Sequence, residues 1–102
     1  MKYVIKKLKR NDLSVNGTSL AGLIYASYDQ LVKKFGPPYR GSPDGKVKAE
    51  WDLNINGKVV TIYDYKSSLP AKQNVVWHIG GKVDGLPELL AKVTGFQTKR
   101  GM

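Results

Sequence analysis

Apolar and polar residues alternate along residues 46–66, KVKAEWDLNINGKVVTIYDYK, on both sides of Asn56-Gly57. A period of two marks strands with one buried face. Asn-Gly suits the two-residue type I′ turn, in which both turn positions need positive φ. The segment therefore predicts a β-hairpin, and its turn sets the register. Ile55 opposes Lys58, Leu53 opposes Val60, Trp51 opposes Ile62 and Ala49 opposes Asp64. Val47, Ala49, Trp51, Leu53, Ile55, Val60 and Ile62 then form the core face. The other face carries Lys48, Glu50, Asp52 and Asn54 against Tyr65, Tyr63, Thr61 and Val59, which sets Lys48 beside Tyr65.

The pattern changes elsewhere. Ser27-Tyr28-Asp29-Gln30 reads as a capping box, with Ser27 capping the Gln30 amide and Gln30 reaching back. It starts a helix over 28–35 whose apolar stripe is Tyr28, Leu31, Val32 and Phe35. Gly36 supplies the stop and Pro37-Pro38 prevent continuation. A second helix over 86–93, started near Asp84 with Pro87 in its first turn, buries Leu86, Leu89, Leu90 and Val93. Residues 3–8 suit a short edge strand, open to pairing with another chain. Asn16-Gly17 is a second turn signal, 20–26 a strand or buried lead-in, and 39–45 a loop. Residues 75–79 form a third strand ending at Gly80-Gly81. The fold class predicted is α+β, a small antiparallel meander sheet carrying two short helices on one face. All of 1–102 is one domain, with a basic N-terminal arm over about 1–12 and a frayed tail over about 97–102.

Charge alters this picture. Seventeen Lys+Arg against eight Asp+Glu give a net charge of +9. Such a field favours anionic partners, although solubility alone also explains a small basic domain. No cysteine is present, which excludes disulfides and thiol chemistry and fits a reducing cytoplasm. No apolar run approaches a membrane span.

Asp64 is the odd residue of the hairpin, a carboxylate on the apolar face. It needs hydrogen-bond donors or a cation there, so it is either a structural cap or a ligand-binding carboxylate. On the outer face, Tyr63 and Tyr65 interleave with Lys48, a pattern that stacks bases and pairs phosphates. Cross-strand packing of Tyr over Lys stems is the plainer account. The register of the third strand is open. With Trp77 inward, His78 stands beside Tyr63; one residue of slip would put His78 with Asp64 as the start of a general-base pair. Ser67, Ser68 and Thr61 offer hydroxyls but no nucleophile-elbow sequence surrounds them, and one histidine without cysteine makes no typical zinc site. Gly80-Gly81-Lys82 lacks the spacing of a phosphate loop; paired glycines more often allow a sharp turn.

Taken in order, SYDQLVKKFGPP, KVKAEW, VVTIYDYK and VWHIGG resemble a family of small uncharacterised proteins of bacteriophages and large DNA viruses. The shared positions are Tyr28, Leu31, Phe35-Gly36, Pro38, Glu50-Trp51, Thr61 to Tyr63, Tyr65-Lys66 and Trp77 to Gly81. The resemblance implies a viral setting and no set activity. The resulting expectation is a non-enzymatic accessory protein of the host cytoplasm. It would inhibit a host defence or nucleic-acid-processing system by binding an anionic or nucleoprotein surface. Expected contacts are Lys48, Tyr63, Tyr65, Trp77, His78 and Lys82, with Arg40 adding charge; no cofactor, metal or catalytic residue is expected. Two alternatives stand beside it: a nucleotide-sequestering domain and a small hydrolase using Asp64 and His78. A host protein, nucleic acid or nucleotide is the expected partner, and a homodimer is compatible with the open edge.

Overall fold

The computed structural model describes residues 3–9, 13–15, 17–40 and 46–101. Lys2 and Arg10 of the basic arm, Asn16 of the second turn signal and the 41–45 part of the expected loop lie outside the described residues. Among the described residues, seven strands form one antiparallel sheet: β1 (Ile5–Lys7), β2 (Ser19–Tyr25), β3 (Tyr39–Arg40), β4 (Val47–Ile55), β5 (Lys58–Tyr65), β6 (Val76–Gly81) and β7 (Gln97–Arg100). Two helices, α1 (Tyr28–Phe35) and α2 (Leu86–Thr94), pack on one of its faces. The fold is thus the α+β class that the sequence predicts. No described helix is long and apolar enough to cross a membrane.

The meander accounts for only part of the sheet. Strand order is β1-β4-β5-β6-β2-β7, with β3 also on β4, so β2 enters between β6 and β7 from early in the chain. Its Ile24 is fully buried, as befits a central strand. The tail expected to fray is strand β7, pairing Gln97 with Tyr25 and Lys99 with Leu23. Nothing local in QTKR announces a strand; β2 supplies the partner. Both outer strands carry cations (Lys6 and Lys7 on β1, Lys99 and Arg100 on β7), a common guard against edge-to-edge pairing.

The capping box of α1 forms in full. Ser27 Oγ accepts from the Gln30 amide at 3.1 Å, and Gln30 Oε1 accepts from the Ser27 amide at 2.8 Å. Gly36 ends the helix at φ 84°, and its carbonyl accepts from Trp51 Nε1 at 2.7 Å, which ties the helix end to the sheet. Helix α2 starts next to Asp84, from Gly85, with φ 82° and no side-chain cap. Beneath the helices Trp51 and Trp77 meet edge to face at 5.2 Å, both fully buried. Aromatic pairs of this geometry add to the large apolar area they bury.

The hairpin obeys its turn at one end only. Asn56 and Gly57 take φ of 51° and 85°, and the pairs from Ile55↔Lys58 to Glu50↔Tyr63 follow the two-residue count. Asn54 Oδ1 accepts from the Gly57 amide, and Val4, just before β1, clamps the turn through paired hydrogen bonds with Asn56. Beyond Glu50 the register shifts, and Val47 instead of Lys48 stands across from Tyr65. Lys48 and Ala49 therefore share the place opposite Asp64, which is a β-bulge. The Asp64 carboxylate holds it: Oδ1 accepts from the amides of both Lys48 (2.8 Å) and Ala49 (3.0 Å).

Candidate functional site

The sheet face opposite α1 and α2 carries ordered rows of side chains. Register places Glu50, Tyr63, His78, Leu23 and Lys99 side by side across β4, β5, β6, β2 and β7. A neighbouring row sets Val76 beside Tyr25 and Gln97. A groove of about 500 Å³ runs over the first part of this surface. Tyr63, His78 and Thr61 form its floor, and Tyr65 and Val47 one wall. The opposite wall comes from the chain before β2, where Val15 closes a 3-10 turn (Leu13–Val15), and from Thr18 and Leu20.

The aromatic rings are already arranged with respect to one another. Tyr63 and His78, cross-strand neighbours, stack at 5.5 Å with planes 16° apart. Tyr65 meets His78 edge-on at 6.1 Å, and Lys66 Nζ lies 5.3 Å from the Tyr65 ring centre. His78 Nδ1 is shielded from solvent and has no hydrogen-bond partner among the described residues. The Tyr63 hydroxyl is pushed above the ordinary tyrosine range, first by burial, then by the Glu50 carboxylate and then by Tyr65. All three effects oppose a phenolate, so Tyr63 enters the groove as a neutral ring with a hydroxyl donor.

The WHIGG segment now has a physical account. In β6, Trp77 and Ile79 go to the core, and His78 goes to the groove. A Cβ on Gly80 would lie 2.4 Å from Thr61 Oγ1 and 3.3 Å from Tyr63 Cε1, so glycine lets the groove floor lie low. A Cβ on Gly81 would lie 1.9 Å from Leu86 Cδ1, so the second glycine admits α2 on the other face. Both glycines belong to the strand, and close packing on each face replaces the sharp turn expected of them.

Of the residues expected to bind, Tyr63, Tyr65 and His78 do converge. Trp77 does not: it is 0% exposed, and its Nε1 donates to the Ala26 carbonyl at 3.0 Å. Lys48 leaves the tyrosine face because the bulge turns it to the helix-bearing side, where its Nζ donates to the carbonyls of Ser67 (2.9 Å) and Leu69 (2.8 Å). Arg40 sits on β3 at that same side, beside Ala49. Lys82 follows β6 and borders a separate polar cavity with Ser19, Asp84 and Arg100. Asp64, 1% exposed, serves the bulge, and its Oδ2 has no partner among the described residues.

Asp64 and His78 are on opposite faces of the sheet, so the general-base pair does not form and the hydrolase reading loses its dyad. Among the described residues, no group of three or more His, Asp or Glu side chains is placed to hold a metal ion. Val47, Val15, Thr18 and Leu20 are groove residues that sequence reasoning misses. Val47 had a signal in Asp64, the carboxylate on an apolar face. The wall of Val15, Thr18 and Leu20 had none, because it depends on where β2 inserts. No protein-family model matches the chain, and comparison with curated proteins and with solved structures likewise yields no match.

Proposed function

We propose that this chain is a non-enzymatic binding module that takes unpaired bases of single-stranded nucleic acid into the groove over Tyr63, Tyr65 and His78. The observation that carries the reading is this pre-arranged aromatic cluster on the sheet face opposite helices α1 and α2. Every base offers a flat π-face, so aromatic rings on an open sheet bind single strands with little sequence preference. The excess of nine positive charges draws the phosphates, with Lys66 at the Tyr65 wall and Lys99 at the end of the row. Glu50 borders the groove and suits the amino group of a base better than a phosphate. Asp52, 4% exposed, is withdrawn from that surface.

In the viral setting that the sequence resemblance alone implies, such a module would disable a host defence or nucleic-acid-processing system by occupying its exposed strand or nucleoprotein surface. Titration of isotope-labelled protein with short single-stranded DNA and RNA tests the reading by NMR. Expected are shifts at Thr61, Tyr63, Tyr65 and His78, and an affinity that falls steeply with salt. Tyr63→Ala is expected to weaken binding by about 1–3 kcal/mol, the usual loss of one stacking platform. An association that ignores salt, or one that leaves these residues unshifted, would end the proposal.

A second reading, capture of a free nucleotide, is favoured by the groove's size, since about 500 Å³ falls among small-molecule sites. Thermal-shift measurements across linear and cyclic nucleotides separate it from strand binding. A flat response removes it.

A further inference from the structure

On the helix-bearing side, at the bulged end of β4, lies a second and shallower cavity of about 250 Å³. Three cationic side chains line it: Arg40 from β3, Lys48 from β4 and Lys72 from a 3-10 turn (Ala71–Gln73). Its apolar walls include Tyr28, Pro38 and Pro70. We infer that this cavity is a binding site for a phosphate monoester carried on a flat apolar body. The inference does not rest on the groove.

The charge pattern points there first. No carboxylate lines the cavity among the described residues, although three like charges around so small a space repel one another. Asp64 is hydrogen-bonded to the Lys48 and Ala49 backbone, and its Oδ1 is already committed to those two amides. Lys48 is oriented as well as charged. The Ser67 and Leu69 carbonyls take two of its N–H donors without neutralising it, and an ammonium has three.

A phosphate monoester brings a charge of about −1.5 to −2 and three acceptor oxygens, which matches three converging cations better than a single carboxylate does. Arg40 offers the fork that pairs phosphate oxygens two at a time. The cavity also exceeds a phosphate in size, and its remaining walls are apolar. Tyr28 is backed by the core, with Trp51 at 5.8 Å and Trp77 at 6.5 Å, so its ring is a supported platform for a flat group.

The bulge is what assembles this site. A regular hairpin would put Lys48 on the tyrosine face, and only Arg40 and Lys72 would remain. A nucleoside monophosphate and the phosphorylated end of a nucleic-acid strand share the required chemistry.

The experiment is an NMR and calorimetric titration of the full chain with adenosine monophosphate, adenosine, and a dinucleotide with and without a terminal phosphate. Expected are shifts at Tyr28, Lys48 and Lys72 with the monophosphate and none there with adenosine. The Arg40→Ala/Lys72→Ala double variant, at two exposed positions, is expected to bind at least about tenfold more weakly, as loss of charge-assisted contacts implies. In Tyr63→Ala the monophosphate is expected still to shift Tyr28, Lys48 and Lys72, whatever happens at the groove, which separates the cavity from the groove. Preference for the dinucleotide bearing the phosphate identifies a strand end as the source; equal or better binding of the free monophosphate identifies a metabolite. Adenosine binding as well as its monophosphate, full affinity in a folded double variant, or shifts confined to Tyr63 and His78 would each overturn the inference.

Discussion

At the Asn56-Gly57 end of the β4–β5 hairpin, six successive residue pairs keep the register that the turn imposes. At the other end, two residues of β4 face one of β5, and the side chains change sides. The first end is stabilised by neighbours in sequence: positive φ at both turn residues and the Asn54 side chain on the Gly57 amide. The second depends on one buried carboxylate holding two amides of the adjacent strand. The contrast teaches that turn chemistry propagates a register only until another interaction competes with it. Here the competitor also redistributes side chains between the two faces of the sheet. It moves Val47 into the aromatic groove and Lys48 into the cationic cavity behind the sheet.

The sharpest way to break the comparison is at its carboxylate. Asp64→Ala strips the acceptor from two amides and is expected to cost about 3 kcal/mol by chemical denaturation, with Asp64→Asn costing less because its amide oxygen still accepts. Cross-strand contacts seen by NMR should then show Lys48 competing with Val47 for the place opposite Tyr65. A bulge that survives Asp64→Ala unchanged would mean that something else holds it.

Gly57→Ala is the matching change at the turn end. It forces a side chain into φ 85° and is expected to cost about 1–2 kcal/mol while leaving the groove and the cavity intact. Loss of ligand binding in this variant would show that the two ends are coupled. Lys48→Met is smaller again, at about 1 kcal/mol for two exposed bonds to carbonyls. Binding in the groove should not change, because Lys48 is not part of it.

The smallest effect is a titration. Tyr63 is raised by burial first and by Glu50 second, so it should ionise after an ordinary tyrosine in an absorbance titration, and Tyr63→Phe should remove that late step. The folded chain keeps this proton longer than the unfolded chain does. The stability it contributes is therefore complete below the ordinary tyrosine value of about 10 and disappears as pH rises through the higher folded value. Glu50→Gln should bring the ionisation back only part of the way. A complete return would make Glu50, not burial, the main cause.

Much of the fold was legible because its signals are local. The capping box of Ser27 and Gln30, the stop at Gly36 and the Asn-Gly turn each act within a few residues. Tyr63 and Tyr65 were legible as groove residues for the same reason, since alternation along β5 sends them outward, whereas the side taken by His78 was decided only by the pairing of β6 with β5. Strand β7 was not legible, because QTKR becomes a strand only where β2 offers an open edge. The role of Gly80 and Gly81 was not either. Thr61, Tyr63 and Leu86 fill the space that their missing side chains leave, and none of these neighbours is next to them in sequence.

By itself, then, the sequence determined the hairpin, the first helix, the α+β class and the apolar residues that make the core. These follow from periodicity and from hydrogen bonds that span three or four residues. The tertiary structure alone decided that β2 lies between β6 and β7, that Trp77 is buried, and that Lys48 and Arg40 sit behind the sheet instead of beside the tyrosines. The physical reason is common to all three. Each depends on a partner distant in the chain (a strand edge, the Ala26 carbonyl or the Asp64 carboxylate), and the local pattern does not encode where that partner will be.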